Sequence, residues 1–79
     1  MAKALVVDDS LMDRKVITSY LQQAGITVMD AESAEEAMNK LNQETPNLIV
    51  VDVVMGGKSG FEMCRQLKAD VKTKPIPVI

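Results

Sequence analysis

Two short apolar runs organise this chain, and each ends in acid. Ala4-Leu5-Val6-Val7 runs into Asp8 and Asp9, and Leu48-Ile49-Val50-Val51 runs into Asp52. Continuous apolarity with β-branching over so few residues is the pattern of a strand buried on both faces, as parallel strands are. Between and after the runs the period changes to that of helices. Met12, Val16, Ile17, Tyr20, Leu21 and Ala24 form one stripe, opened by Ser10 as a cap with Asp13 in the first turn and closed by Gly25. Ala34, Ala37, Met38 and Leu41 form a second stripe behind the capping box Ser33-Ala34-Glu35-Glu36. Phe61, Cys64, Leu67 and Val71 form a third, ended by Lys74-Pro75. Thr27-Val28-Met29 is a short second strand, and Pro46-Asn47 breaks the chain before the third. Ile76-Pro77-Val78-Ile79 opens a fourth, with Pro77 tolerable only near its start. The predicted order is βαβαβαβ. Connections of this length, with right-handed crossovers, imply a parallel sheet with helices on both faces.

Composition narrows the class. Seventy-nine residues allow one domain with a thin core, and 47% hydrophobic content is that of a globular chain. Nine basic against eleven acidic residues give a net charge of −2, which does not suggest a nucleic-acid-binding surface. Lys58, Arg65, Lys68, Lys72 and Lys74 make the last third basic, which reads as a solvated face. No run resembles a signal peptide or membrane span, so a cytoplasmic location is expected. Cys64 is alone and reads as a small core residue. There is no histidine, which removes His-based acid–base chemistry and His-ligated metals.

The acidic strand ends carry the chemistry. In an open α/β sheet, ligands gather beyond the carboxyl ends of the strands. If the first and third strands are neighbours, about 4.8 Å apart, Asp8 or Asp9 comes near Asp52. Like charges ~4 Å apart at an effective dielectric of 20 repel by ~4 kcal/mol. A protonated carboxylate, a nearby lysine or a divalent cation could relieve this. Carboxylates, a carbonyl and waters suit Mg²⁺. Aspartates also end strands because they start turns and cap helices, which would account for Asp9 or Ser10 alone. It accounts less well for Asp52, because Val53 and Val54 continue apolar and Gly56, Gly57 and Gly60 come later. A carboxylate beside Mg²⁺ can attack a phosphoryl group to give an aspartyl phosphate.

Leu5-Val6-Val7-Asp8-Asp9-Ser10, Asp52-Val53-Val54-Met55 with Gly60-Phe61-Glu62, and Pro75-Ile76-Pro77-Val78-Ile79 together resemble the receiver domain of two-component response regulators. The nearest flavour is CheY-like, the single-domain kind of chemotaxis and motility. The resemblance covers the whole chain. It implies a flavodoxin-like doubly wound parallel sheet of strand order 2-1-3-4-5. It implies Asp52 as phosphoacceptor, Asp9 as direct Mg²⁺ ligand, Asp8 acting through water, and the carbonyl of Val54 as a further ligand. A histidine kinase as phosphodonor and a downstream protein target are implied too. Met55 and Gly60 match the family, whereas Gly56 stands where Pro is common.

Receivers continue to a Ser or Thr, a helix, a lysine-bearing fifth strand and a last helix, and this sequence reaches Ile79. The expected fold is thus an incomplete receiver, βαβαβαβ of a (βα)5 unit. One sheet face would be bare, the fourth strand would be an edge, and copies would dimerise or swap strands. Switching is expected to be incomplete in this chain alone. Two other readings are weighed. A Mg²⁺ phosphohydrolase with an aspartyl intermediate is disfavoured, because its second Asp, two residues after the first, is Val54 here. A structural half-domain rests only on the missing end. The chain is expected not to be an enzyme.

Overall fold

Full burial on both faces puts the first apolar run at the centre of the sheet. The computed structural model describes residues 2–52 and 60–79, and of residues 60 and 61 the backbone alone. The described elements are β1 (Lys3–Val7), α1 (Leu11–Gln23), β2 (Thr27–Ala31), α2 (Ala34–Gln43), β3 (Leu48–Val51) and α3 (Gly60–Ala69). The three strands are parallel, in the order β2-β1-β3. Val7 is in register with Ala31 on one side and Val51 on the other. Ala4, Leu5, Val6 and Val7 are all buried, because they carry a neighbour on each edge and a helix layer on each face. β2, on the edge, buries only Ala31.

The caps form as the sequence implies. The Ser10 hydroxyl accepts from the Asp13 N–H at 3.3 Å, and the Ser33 hydroxyl accepts from the Glu36 N–H at 3.1 Å. The Glu36 carboxylate reaches back to the Glu32 N–H at 3.3 Å. Gly25 ends α1 with φ of +83°, a left-handed conformation that only glycine adopts freely. Asn47 clips the start of β3 to β1. Its N–H donates to the Lys3 carbonyl at 2.7 Å, and its side-chain oxygen accepts from the Lys3 N–H at 2.9 Å.

The core lies between the sheet and the α2/α3 side. Leu5, Val7, Ile49 and Val51 meet Ala34, Ala37, Met63, Leu67 and Ile76, with Met38 and Leu41 packed at its margin. Beyond α3, the Thr73 hydroxyl donates to the Leu67 carbonyl at 2.6 Å. The Lys68 ammonium donates to the carbonyls of Lys74 and Ile76 at 3.1 and 2.9 Å. Together they fold the chain back towards the sheet.

Several expectations require correction. The fourth strand is reduced to one parallel bridge, Ile49 with Val78, held by hydrogen bonds from Ile49 and Val51 to Pro77 and Ile79. Pro77 has no N–H to extend the ladder. β2 is longer than Thr27 to Met29, because pairing with β1 carries it to Ala31. α1 buries no residue fully. Its sheet-side positions are Arg14, Ile17, Thr18 and Leu21, while Met12 and Tyr20 are 77% and 69% exposed. α3 packs through Met63 and Leu67; Val71 lies past its end, 84% exposed, and Cys64 is half-buried.

Candidate functional site

β1 and β3 run side by side and stop at the same level, so the residues after them emerge together. The Asp8 N–H continues the ladder to the Ala31 carbonyl at 3.0 Å, and the Asp52 N–H donates to the Val7 carbonyl at 2.9 Å. These bonds hold both acids at the carboxyl edge of the sheet. Carboxylate oxygens of Asp8, Asp9 and Asp52 lie within 4.8 Å of one another. Asp8 is buried, Asp52 half-buried and Asp9 exposed. The juxtaposition expected from the two strand ends is therefore present. Val54, and with it the rest of the loop from 53 to 59, lies outside the described residues.

Asp8 is held in a costly place. Burial raises its pKa from the ordinary value of 3.8, and the charges of Asp52, Asp13 and Asp9 push it further in the same direction. The Ser10 N–H, donating to the Asp8 carboxylate at 2.9 Å, opposes that rise. A group whose pKa is higher folded than unfolded binds more protons in the folded state. The metal-free protein should therefore lose stability as pH rises from about 3.8 through the raised value, and level off above it. Asp8→Asn keeps an oxygen for the Ser10 N–H and removes the charge. In chelator at neutral pH it is expected to be more stable than the wild type, because it removes the cost of burying the charge and, with it, the repulsion from neighbouring acids, ~1–3 kcal/mol per pair at dielectrics between water and protein surface. The difference should vanish in acid. Urea unfolding of both proteins at the two pH values measures it.

Beside the acids lies a groove of about 380 Å³. Asp8, Asp13 and Asp52 form its polar end, and Val16, Ile17 and Val50 an apolar wall. Asp13, which the sequence marks only as a first-turn residue, thus faces the cluster. Arg14 was missed as well. Its guanidinium Nε donates to Asp30 Oδ2 at 2.9 Å and its Nη1 to the Asp8 carbonyl at 2.7 Å. A signal existed: Arg14, Ile17, Thr18 and Leu21 share one face, and a cation on a packing face needs partners.

The donor set fits a hard divalent cation. All three side chains offer carboxylate oxygen, and the exposed side at Asp9 leaves room for the waters that Mg²⁺ retains. A cation there would offset the repulsion that raises the Asp8 pKa. Among the described residues no helix is long and apolar enough to cross a membrane.

Comparison with known proteins agrees with this geometry. The family model described as the response regulator receiver domain matches residues 4–79. Protein PilH of Pseudomonas aeruginosa is 39% identical over all 79 residues, which span 65% of PilH. The phosphate regulon transcriptional regulatory protein PhoB of Escherichia coli is 35% identical over 77 residues, 98% of this chain and 34% of PhoB. The chain thus spans less than two thirds of these relatives. The solved chemotaxis response regulator CheY4 of Vibrio cholerae superposes with a TM-score of 0.93 at 35% identity, over 99% of this chain and 65% of that one. The response regulator TrrA of Thermotoga maritima, solved in complex with Mg²⁺-BeF, superposes with a TM-score of 0.87 at 33% identity, over 91% of this chain and 63% of that one. A family match across nearly every residue, on a fold these solved structures share, leaves one assignment: the chain belongs to the response regulator receiver domains of two-component signalling.

Proposed function

We propose that this receiver takes a phosphoryl group from a histidine kinase onto Asp52, with Mg²⁺ held by Asp9, Asp52 and the carbonyl of Val54, and with Asp8 acting through a bound water. The observation that carries the reading is the gathering of Asp8, Asp9 and Asp52, within 4.8 Å, at the carboxyl ends of adjacent strands in a chain of this family. One carboxylate oxygen of Asp52 attacks phosphorus as the bond to the donor breaks. Mg²⁺ supplies positive charge against the crowding of anions as donor and acceptor meet. Asp9 and Asp52 contribute two of the few protein ligands that this ion takes. Asp8, buried and anchored by Ser10, would add its negative charge to the attraction for the ion through a bound water. The complex of TrrA with Mg²⁺-BeF supports the same cation here.

A cytoplasmic location and a downstream protein target complete the reading, and the likeness to the chemotaxis regulator CheY4 supports an output of the motility kind. Incubation with a small phosphodonor and Mg²⁺, followed by mass spectrometry, tests it. A single added phosphoryl group mapped to Asp52 is expected. Rapid multiple turnover of the donor would point to a phosphohydrolase instead, and a folded protein that never gains the group would leave only a structural role.

Association of copies is also proposed, on a specific observation. Leu11, Met12, Val16 and Tyr20 are all more than half exposed on α1, next to the apolar wall of the groove. Apolar surface of this kind drives pairing. Sedimentation at on the order of tens of micromolar should give a concentration-dependent dimer. A monomer across that range would refute the association.

A further inference from the structure

We infer that Arg14 is a positioning residue for the acidic cluster: it fixes the peptide between Asp8 and Asp9 and so aims the Asp9 carboxylate at the cation. The inference rests on the proposed role of Asp9 as a ligand. Arg14 is an unexpected residue where it stands. It occupies the first turn of α1, where the helix dipole disfavours a cation, and its side chain is only 12% exposed. A guanidinium taken that far out of water persists only with good partners. Among the described residues it has two, one on β2 and one just past the end of β1. Nε meets the Asp30 carboxylate on β2 at 2.9 Å, and Nη1 meets the Asp8 carbonyl at 2.7 Å.

The second bond matters for the site. β2 ends at Ala31, whose carbonyl takes the Asp8 N–H. Among the described residues β2 supplies no further strand donor for the Asp8 carbonyl, and Arg14 supplies one. That carbonyl and the Asp9 N–H belong to one planar peptide unit. Fixing the oxygen fixes the plane, and the plane sets the direction in which the chain reaches the Asp9 Cα. Asp8 is thus held at its N–H by Ala31, at its carboxylate by Ser10 and at its carbonyl by Arg14. Asp9 inherits its placement from that frame. The Asp30 carboxylate offsets the charge of Arg14, so the contribution to the site is chiefly geometric.

Charge and geometry predict opposite signs, which makes the inference testable. If Arg14 acted as a nearby positive charge, removing it would tighten cation binding. If it acted only in folding, Arg14→Gln would lower the unfolding midpoint and leave affinity for Mg²⁺ unchanged. Positioning predicts weaker binding, by about tenfold, as is usual when a group orienting a metal ligand is lost. Amide chemical-shift titrations of the full chain with MgCl₂, well below the midpoint of each variant, read the affinity directly. The Asp9 amide shift in chelator should also move in Arg14→Gln. Arg14→Lys keeps the charge but cannot serve two partners with a fork, so its affinity should also fall. It carries the test if the Gln variant does not fold. Wild-type binding with equal or tighter affinity in the variants overturns the inference alone. Absence of Mg²⁺ binding in the wild type overturns the metal reading and the inference with it.

Discussion

Asp52→Asn should abolish phosphoryl acceptance while leaving the protein folded and more stable. The substitution keeps the size of the side chain and removes one of three charges within 4.8 Å of one another. Each pair at that distance repels by ~1–3 kcal/mol at effective dielectrics between water and protein surface. The metal-free variant should therefore unfold later than the wild type, so loss of acceptance could not be blamed on loss of structure. Asp8 and Asp9 remain as carboxylates in the same cluster. Neither occupies the position of Asp52, and a misplacement on the order of 1 Å costs ~100-fold in rate. Residual modification near ~1 per cent of the wild-type rate, mapped to Asp8 or Asp9, would mean that a neighbour takes the group slowly in its place, whereas modification at the wild-type rate would mean that Asp52 is not the nucleophile. Mass spectrometry of both proteins after equal exposure to a small phosphodonor decides it.

The parts of this fold legible in the sequence are those dictated by burial on both faces. β1 is a continuous apolar run because Ala4 to Val7 meet protein above and below, whereas β3 buries Ile49 and Val51 and leaves Leu48 and Val50 half-buried. The run ends gather Asp8, Asp9 and Asp52 once β1 and β3 are neighbours, which the strand order supplies and the runs alone do not. Helix caps are legible because Ser10 and Ser33 act locally. Which face of a helix packs is less legible. α1 offers two plausible stripes, and the one richer in large apolar residues, through Met12, Val16 and Tyr20, is the exposed one. The stripe that meets the sheet includes Arg14, whose polar head is satisfied by Asp30 and the Asp8 carbonyl, partners distant in sequence or in main chain. α3 shows the same difficulty in milder form. Met63 and Leu67 form its buried pair, four residues apart, while Val71 falls beyond the helix because the turn organised by Lys68 and Thr73 redirects the chain. The four apolar residues at the end read as a strand, but Pro77 lacks the N–H that would extend pairing beyond the single bridge at Val78.

Mg²⁺ should raise the unfolding midpoint of the wild type, and Asp9→Ala should erase that increment. A ligand that binds only the folded state stabilises it by mass action, by ~1.4 kcal/mol at ten times its dissociation constant. For a domain of this size that corresponds to roughly 6–11 °C. Screening by salt would also relieve repulsion among the three acids, so the comparison must be made at matched ionic strength with NaCl. Asp9→Ala acts in two directions at once. Removing one charge should make the metal-free variant more stable than the metal-free wild type. Removing a ligand should make the midpoint insensitive to Mg²⁺. That pair of signs distinguishes a bound ion from general screening, under which wild type and variant would respond to Mg²⁺ and Na⁺ alike. Equal wild-type midpoints with and without Mg²⁺ would mean that the gathered carboxylates hold no ion, and the role assigned to Asp9 would fall with them.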